Sequence, residues 1–569
     1  MKHCRILIPL LLLMSVPAWA GRTVRLADFL DDSSRRDAMP AIRSALEACR
    51  KSGASVLELP ADTLRILPDK AYEKYQFISN NDESLKRIAF DLDGMKNLTV
   101  KGEGTTLLFT GFISPFSLQG CRNITITGLT VDYTHTFHSE AVIEGVGDNS
   151  LDVRFSKDYR PRLENGCLYI YDANWIKYRF ASLLEFDAAR REPALYARDY
   201  WLSDSTIEAE DLGDNRYRIH KDKLTGTVGN ILVFGAEARY NPAFFLSDCS
   251  GITLKGVTLH HCGGMGVIAQ RSRDIALEGM VIEPAPGRMI SITADATHFV
   301  NCSGYIRMTG CRFCNMKDDH TNIHGLYMAV DEVLSPRKLA VSWHNSGQYG
   351  IDFLRKGLRV ELVDNRTMVT IGHATVKKAT RLNKKATLVE FKEDLPAAIA
   401  PKMVIAADDA YPDVLISGCD FRSNRARGLL LGSRGKMVIE NNYFHIPGAA
   451  ILFEGDGNYW FEQSGVRDVT IRGNVFEDGN FGYANWGAAC ISVGSGIPDR
   501  SGAEAYHRGI RIEGNTFRVF DPRILNLYSV DGLIFKDNTL VRTDTYRYDA
   551  HSDKAFNVSK ECKNIQIEQ

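Results

Sequence analysis

Short apolar-polar runs end in glycine or asparagine turns along most of this chain, and one such unit keeps returning. In Ile126–Val131, Leu254–Leu259 and Leu277–Ile282, β-type residues lead into Gly128, Gly256 and Gly279 and then resume. Met308–Phe313, Ile416–Phe421, Ile439–Phe444, Ile471–Phe476, Ile512–Phe517 and Phe535–Leu540 repeat the unit with Gly, Asn or Asp at the turn. Gly256 to Gly279, Gly418 to Asn441 and Gly514 to Asp537 are each 23 residues apart. Several short strands per repeat with no helix between them predict one coil of a solenoid, each coil stacking its apolar residues on the next. Gly and Asn suit the bend because they tolerate positive φ. A leucine-rich repeat has a similar period, but its leucine and asparagine spacing is absent. The expected fold is all-β, a right-handed parallel β-helix.

Departures from the period divide the chain. Ile42, Ala45, Leu46 and Cys49 have helical spacing, and Gly53 and the strand-like Val56–Leu59 follow, which predicts an N-terminal helical cap over the open end of the solenoid. The period fails over 134–242 and again over 325–412. Alternating runs such as Leu339–Trp343 and Leu358–Leu362 predict β-rich, barrel-like insertions there, flanking the substrate cleft. The β-helix is thus expected over 21–133, 243–324 and 413–569, with the cap in the first of these.

Composition narrows the ligand. Lys+Arg at 69 nearly balances Asp+Glu at 70, so no field favours nucleic acid or an anionic membrane, and a neutral partner fits best. Lys2 and Arg5, the apolar run Ile6–Met14 and the small residues Ala18 and Ala20 read as a secretory signal over 1–20, so the expected destination is the periplasm or the exterior. No later stretch reaches the roughly 20 apolar residues that cross a bilayer. Cleavage removes Cys4 and leaves 11 of 12 cysteines, an odd number. Cys311 and Cys314 form a lone C-x-x-C without the second pair or histidines that a zinc site wants. Oligomeric state, including a homo-oligomer, is open at this point.

Polar residues that defy the apolar ladder are densest at Thr293–His298 and Asn315–Gly325. Asp318 follows Asp295 by 23 residues, one coil, which predicts that the two share a face of neighbouring rungs about 4.8 Å apart. The interval from Gly279 to Gly310 is 31 residues, so this coil carries an insertion. Adjacent Asp318 and Asp319 reach one cleft only where a bend breaks the strand. Carboxyls so crowded cannot all ionise, which separates a proton donor from an anionic base, as glycoside hydrolysis requires. The bland alternative for an Asp-Asp pair is a solvated turn. His298, His320, Asn322 and His324 are candidate substrate contacts; metal binding by the histidines is the weaker reading, and no metal or cofactor is expected. Arg425, Arg427 and Glu454 are candidate partners of sugar hydroxyls. Trp460, beside Tyr459, and Trp486 are candidates for stacking on a sugar or for core packing.

At Phe77–Asp82 with Lys86–Phe90, Asp295–Phe299 and Asp318–Gly325, the chain resembles glycoside hydrolase family 110, bacterial α-1,3-galactosidases acting on blood group B and related glycans. The likeness spans nearly the whole mature chain. It implies an inverting exo-hydrolase of terminal α-1,3-galactose on a β-helix with barrel-like insertions, no cofactor, and catalytic aspartates at Asp295, Asp318 and Asp319. The chain is similar, more distantly, to polygalacturonases, an analogy that makes Asp318 the acid and gives the water to Asp295 and Asp319. Family members differ in accepting branched, fucose-bearing glycans alone or linear ones as well. Two other classes compete: a metal-dependent polysaccharide lyase on the same scaffold, and a non-catalytic glycan-binding solenoid.

Overall fold

A computed structural model describes residues 22–500, 504–549 and 552–568. The expected signal over 1–20 lies outside them. Successive coils lay down three parallel sheets. In the first, Val100, Ile126, Leu254, Leu277, Met308, Ile416, Ile439, Ile471, Ile512, Phe535 and Ile567 pair in register, one residue per rung. In the second, the column runs Leu107, Val131, Leu259, Ile282, Phe313, Phe421, Phe444, Phe476, Phe517 and Leu540. These residues are the recurrent apolar positions of the sequence pattern, and almost all of them are buried in one continuous core. The rings of Phe444, Phe476 and Phe517 stack at 4.9 and 4.7 Å.

The turn residue between the first two sheets has positive φ on rung after rung, from Gly256 at 57° to Asn441 at 56° and Asp537 at 54°. The residue after it points inward. It is apolar early in the chain, then a thiol at Cys311 and Cys419, then an amide at Asn442, Asn474, Asn515 and Asn538. Each amide oxygen accepts from the backbone N–H of the preceding ladder residue, and the amide nitrogens of Asn442, Asn474 and Asn515 each donate to the next asparagine's oxygen at 2.9–3.0 Å. A buried polar column is stable only when its members satisfy one another, as these do. The described cysteines are all free thiols. Cys311 donates to the Leu277 carbonyl inside this ladder, so it is a corner residue of the coil.

The helix Met39–Ser52 buries Met39, Ala41, Ile42, Ala45, Leu46 and Cys49 against the first coil and ends at Gly53, whose φ is 61°. This is the expected cap. It is not long and apolar enough to cross a membrane, nor is any other described helix.

The first insertion departs after Thr130–Tyr133 and returns before Phe244–Ser247. Its antiparallel strands, from Ser139–Gly147 to Ile231–Ala236, enclose a separate core of Ile143, Leu151, Leu168, Leu183 and Phe234. The second grows directly from the coil. Thr321–Ser335 is one strand whose first residues pair in parallel with Thr297–Val300 and Leu429–Leu431. Its later residues pair antiparallel with Lys338–Ser342 and Val404–Ala407, closing a barrel with Arg359–Asp364, Val369–Arg381 and Ala386–Phe391. The boundary expected at residue 325 therefore falls inside a continuous strand, which ties the barrel rigidly to the coil carrying Asn322 and His324.

Candidate active site

The parallel pairing Thr297–Thr321–Leu429 sets the register of the site. Two residues earlier, this register brings together Asp295, Asp319 and Arg427 from three successive rungs. The Ala296 N–H donates to the Asp319 carbonyl, and the Arg427 N–H donates to the Asp319 carboxylate at 3.0 Å. Asp295 thus stacks on Asp319 and not on Asp318 as the 23-residue interval predicted, because the interval between equivalent positions on this rung is 24. Asp318 reaches the same cleft because 315–320 is bent and not a strand, with Asn315 at φ 57°. One carboxylate oxygen from each of Asp295, Asp318 and Asp319 lies within 4.8 Å of the other two. Oxygens so close could hold a cation, but guanidinium groups already supply positive charge.

Each carboxyl has its own partner. Arg427 grips Asp319 with Nη2 at 2.8 Å and Nε at 3.1 Å. Asp318 accepts from Arg239 and, at 3.0 Å, from Nη1 of Arg425, whose Nε donates to Asp199 at 2.8 Å. Asp295 meets His298 Nδ1 at 2.6 Å, and His298 Nε2 lies 2.9 Å from His324 Nε2 and 3.2 Å from the amide of Asn80. His324 Nε2 faces Glu462 at 3.5 Å. Burial, with the neighbouring His324, holds His298 neutral, well below its ordinary range. Its Nδ1–H can then donate to Asp295 and fix that carboxyl's orientation.

The charges are unequal. Burial, reinforced by Asp318, pushes Asp295 up to about 7. Burial also pushes Asp319 up to about 7, against the pull of Arg427 and with the help of its neighbours Asp318 and Asp295. Asp318 is held below the usual range: burial opposes its ionisation, but Arg425, Arg239 and Arg427 together win. Near neutral pH the cluster therefore retains a proton, and in the free site that proton resides on the Asp295–Asp319 side. Asp318 is the most open of the three, its side chain 13% exposed against 4% for the other two.

The other predicted contacts divide. His298, Asn322 and His324 project from one face of the third sheet, beside the carboxyls. His320 does not join them; the bend turns it into the coil, where its Nε2 meets the Phe313 carbonyl at 3.0 Å and its ring meets Phe421. Glu454 is exposed on the coil next to the one that carries Arg427. Trp460 is exposed on a turn pinned by Asp456, its ring edge-on to Tyr459 at 4.8 Å. Trp486 is buried beneath Arg425. Arg239, Asp199 and Trp201 come from the first insertion and carry no repeat that would have marked them. Lys317, buried beside Asp199 and Arg425, is lowered to about 8 by burial, and its Nζ has no hydrogen-bond partner. Asn80 lies in the Phe77–Asp82 motif, yet only the fold brings it to His298.

Known proteins resemble this chain over nearly its whole length. Residues 139–232 match the family model GLAA-B beta-barrel domain I, and residues 338–405 match GLAA-B beta-barrel domain II. Alpha-1,3-galactosidase A of Shewanella woodyi is 34% identical over 531 residues, covering 92% of this chain and 86% of that one. Alpha-1,3-galactosidase B of Bacteroides thetaiotaomicron is 31% identical over 578 residues, covering 100% of this chain and 93% of that one. A parallel β-helix whose cleft gathers buried carboxyls with divided protonation, in a chain so related, is a glycoside hydrolase. The protein belongs to the α-1,3-galactosidase family, glycoside hydrolase family 110.

Proposed function

We infer that the protein is an exo-acting α-1,3-galactosidase that releases terminal galactose from blood group B-type glycans by inversion. The observation that carries the chemistry is the set of three mutually close carboxyls, which keeps both a proton and a negative charge available near neutral pH. Asp318, the most accessible, faces the departing oxygen as the acid, while Asp295 and Asp319, stacked behind it, hold the attacking water. The two arginines on Asp318 oppose that role in the free site by keeping it ionised. The role therefore requires the bound glycan to draw Arg239 or Arg425 toward its hydroxyls, letting a proton pass across the cluster to Asp318. Residues 1–20 support export to the periplasm or beyond, where such glycans are met.

A second reading has its own support. Carboxyl oxygens within 4.8 Å are closer than the roughly 6.5–9.5 Å usual for inversion and nearer the roughly 5 Å of retention, in which a carboxylate attacks the sugar directly. Inversion is preferred because a third carboxyl allows two to hold water while one donates. Proton NMR of the first sugar released from an α-1,3-galactosyl disaccharide and from a branched blood group B trisaccharide separates the readings. Inversion gives β-galactose first, with release abolished in folded Asp319→Asn. Initial α-galactose establishes retention, and no release from either glycan by the wild type removes the activity assignment.

A further inference from the structure

We propose that Trp201 is the platform for the sugar that carries the terminal galactose, the leaving-group side of the cleft. The inference rests on the galactosidase reading above and adds a specificity-determining residue to it. An exo-acting enzyme encloses the terminal sugar and leaves the rest of its glycan toward solvent, so the leaving group lies where the carboxyl cluster opens. That side is marked by Asp318, the most exposed of the three side chains.

Arg425 connects this carboxyl to the tryptophan. Its guanidinium bonds Asp318 through Nη1 and Asp199 through Nε and Nη2, which fixes its plane. The same guanidinium lies 5.4 Å from the Trp201 ring centroid and 5.7 Å from that of Trp486. The two indoles differ in one decisive respect: Trp486 is 6% exposed and Trp201 is 64% exposed. Trp201 belongs to the short strand Tyr200–Trp201, paired with Leu183 and Ser182 of the first insertion. Tyr200 anchors that strand by burying its ring and donating to the Lys223 carbonyl at 2.7 Å. The indole is thus set on a sheet, not on a free loop, with broad apolar surface open beside the acid's own arginine.

An isolated exposed tryptophan is ordinary on a protein surface. Trp201 is distinguished by its neighbour. Trp175, also exposed on this insertion, lies under Arg160 and Arg162, and Trp460 rests on Tyr459; neither is tied to a carboxyl of the cluster. The C–H face of a pyranose stacks on the open side of an indole, and Arg425, over the Trp201 ring at 5.4 Å, stands close enough to meet its hydroxyls. The ligand class is therefore a pyranose glycosidically linked to the departing oxygen.

The test compares wild type, Trp201→Ala and Trp201→Phe on two substrates: galactosyl-α-1,3-galactose, and α-galactosyl fluoride, whose leaving group is one atom and cannot reach the indole. Loss of a stacked ring predicts an approximately three- to tenfold fall in kcat/KM on the disaccharide, mostly through KM. Activity on the fluoride should stay within about twofold, and Trp201→Phe should recover most of the loss. Unchanged thermal unfolding of both variants will show that the fold is intact. Equal losses on the two substrates, or no loss on the disaccharide, would overturn the platform while leaving the galactosidase reading standing. A wild type inactive on both substrates overturns that reading and the platform with it.

Discussion

Replacing Arg427 by Leu removes the bidentate cation from Asp319 and should move the acid limb of the pH profile upward. The size follows from the contact. Two unit charges about 4 Å apart attract by about 4 kcal/mol at an effective dielectric of about 20. The Arg427 side chain is 31% exposed, so solvent screening reduces this to about 2 kcal/mol. At 1.36 kcal/mol per pH unit, that is an upward shift of about 1.5 units in a carboxyl that already sits at about 7. The sign is unambiguous: losing a neighbouring cation makes the charged form harder to reach, so the ionised base appears only at higher pH. At pH 7 the ionised fraction drops from about one half to a few per cent, a loss of about tenfold or more that recovers toward pH 9. The assay is kcat/KM for galactose release from pH 5 to pH 9 in wild type, Arg427→Leu and Arg427→Lys, the last keeping the charge and shifting less. An acid limb that stays within about 0.3 units of wild type, or a loss independent of pH, would refute the claim that Arg427 acts through the charge of Asp319.

Two further outcomes test the cluster and the scaffold. Burial raises Asp295 above its unfolded value, so the folded chain binds that proton more tightly; its contribution to stability is fully present below about pH 4 and is lost as pH rises through about 7. Asp295→Asn stays neutral and still accepts from His298, so its melting temperature should fall less than that of wild type between pH 4.5 and pH 8 by scanning calorimetry; parallel curves would contradict the burial of an uncompensated charge. Asn474→Ala removes the amide that accepts from Asn442 and donates to the Ile439 carbonyl at 2.9 Å, leaving buried groups without partners. It should cost about 2–4 kcal/mol in urea unfolding, and a cost under about 0.5 kcal/mol would mean that the ladder is not needed for stability.

The sequence made the solenoid legible because one steric requirement recurs: a residue at positive φ followed by an inward side chain, with apolar columns on either side. Where that requirement lapses, reading by interval loses its footing. A one-residue register shift within Ser303–Thr309 lengthens the rung from Thr297 to Thr321 to 24 residues, which moved the stacking partner of Asp295 from Asp318 to Asp319. The bend at 315–320 let both aspartates reach the cleft but sent His320 inward, since alternation along a strand does not survive a bend. Arg239, Asp199 and Trp201 were invisible because an antiparallel insertion has no repeat relating it to the coil it covers. Arg239 meets Asp318 across 79 residues of chain and Asp199 meets Arg425 across 226, contacts that depend only on how the insertion folds back. The family motif identified the carboxyls, while their unequal charges came from arginines outside the contiguous motif.

The asparagine column gives the C-terminal coils a translational symmetry that the site lacks. From Asn442 to Asn538 each asparagine is joined to the next by the same amide bond, so adding or removing a whole rung inside the column would leave that contact unchanged. The three rungs bearing Asp295, Asp319 and Arg427 are not interchangeable in this way, since each contributes a different group at the same height. Deleting one of them would subtract a charged group from the site and not merely a length of coil.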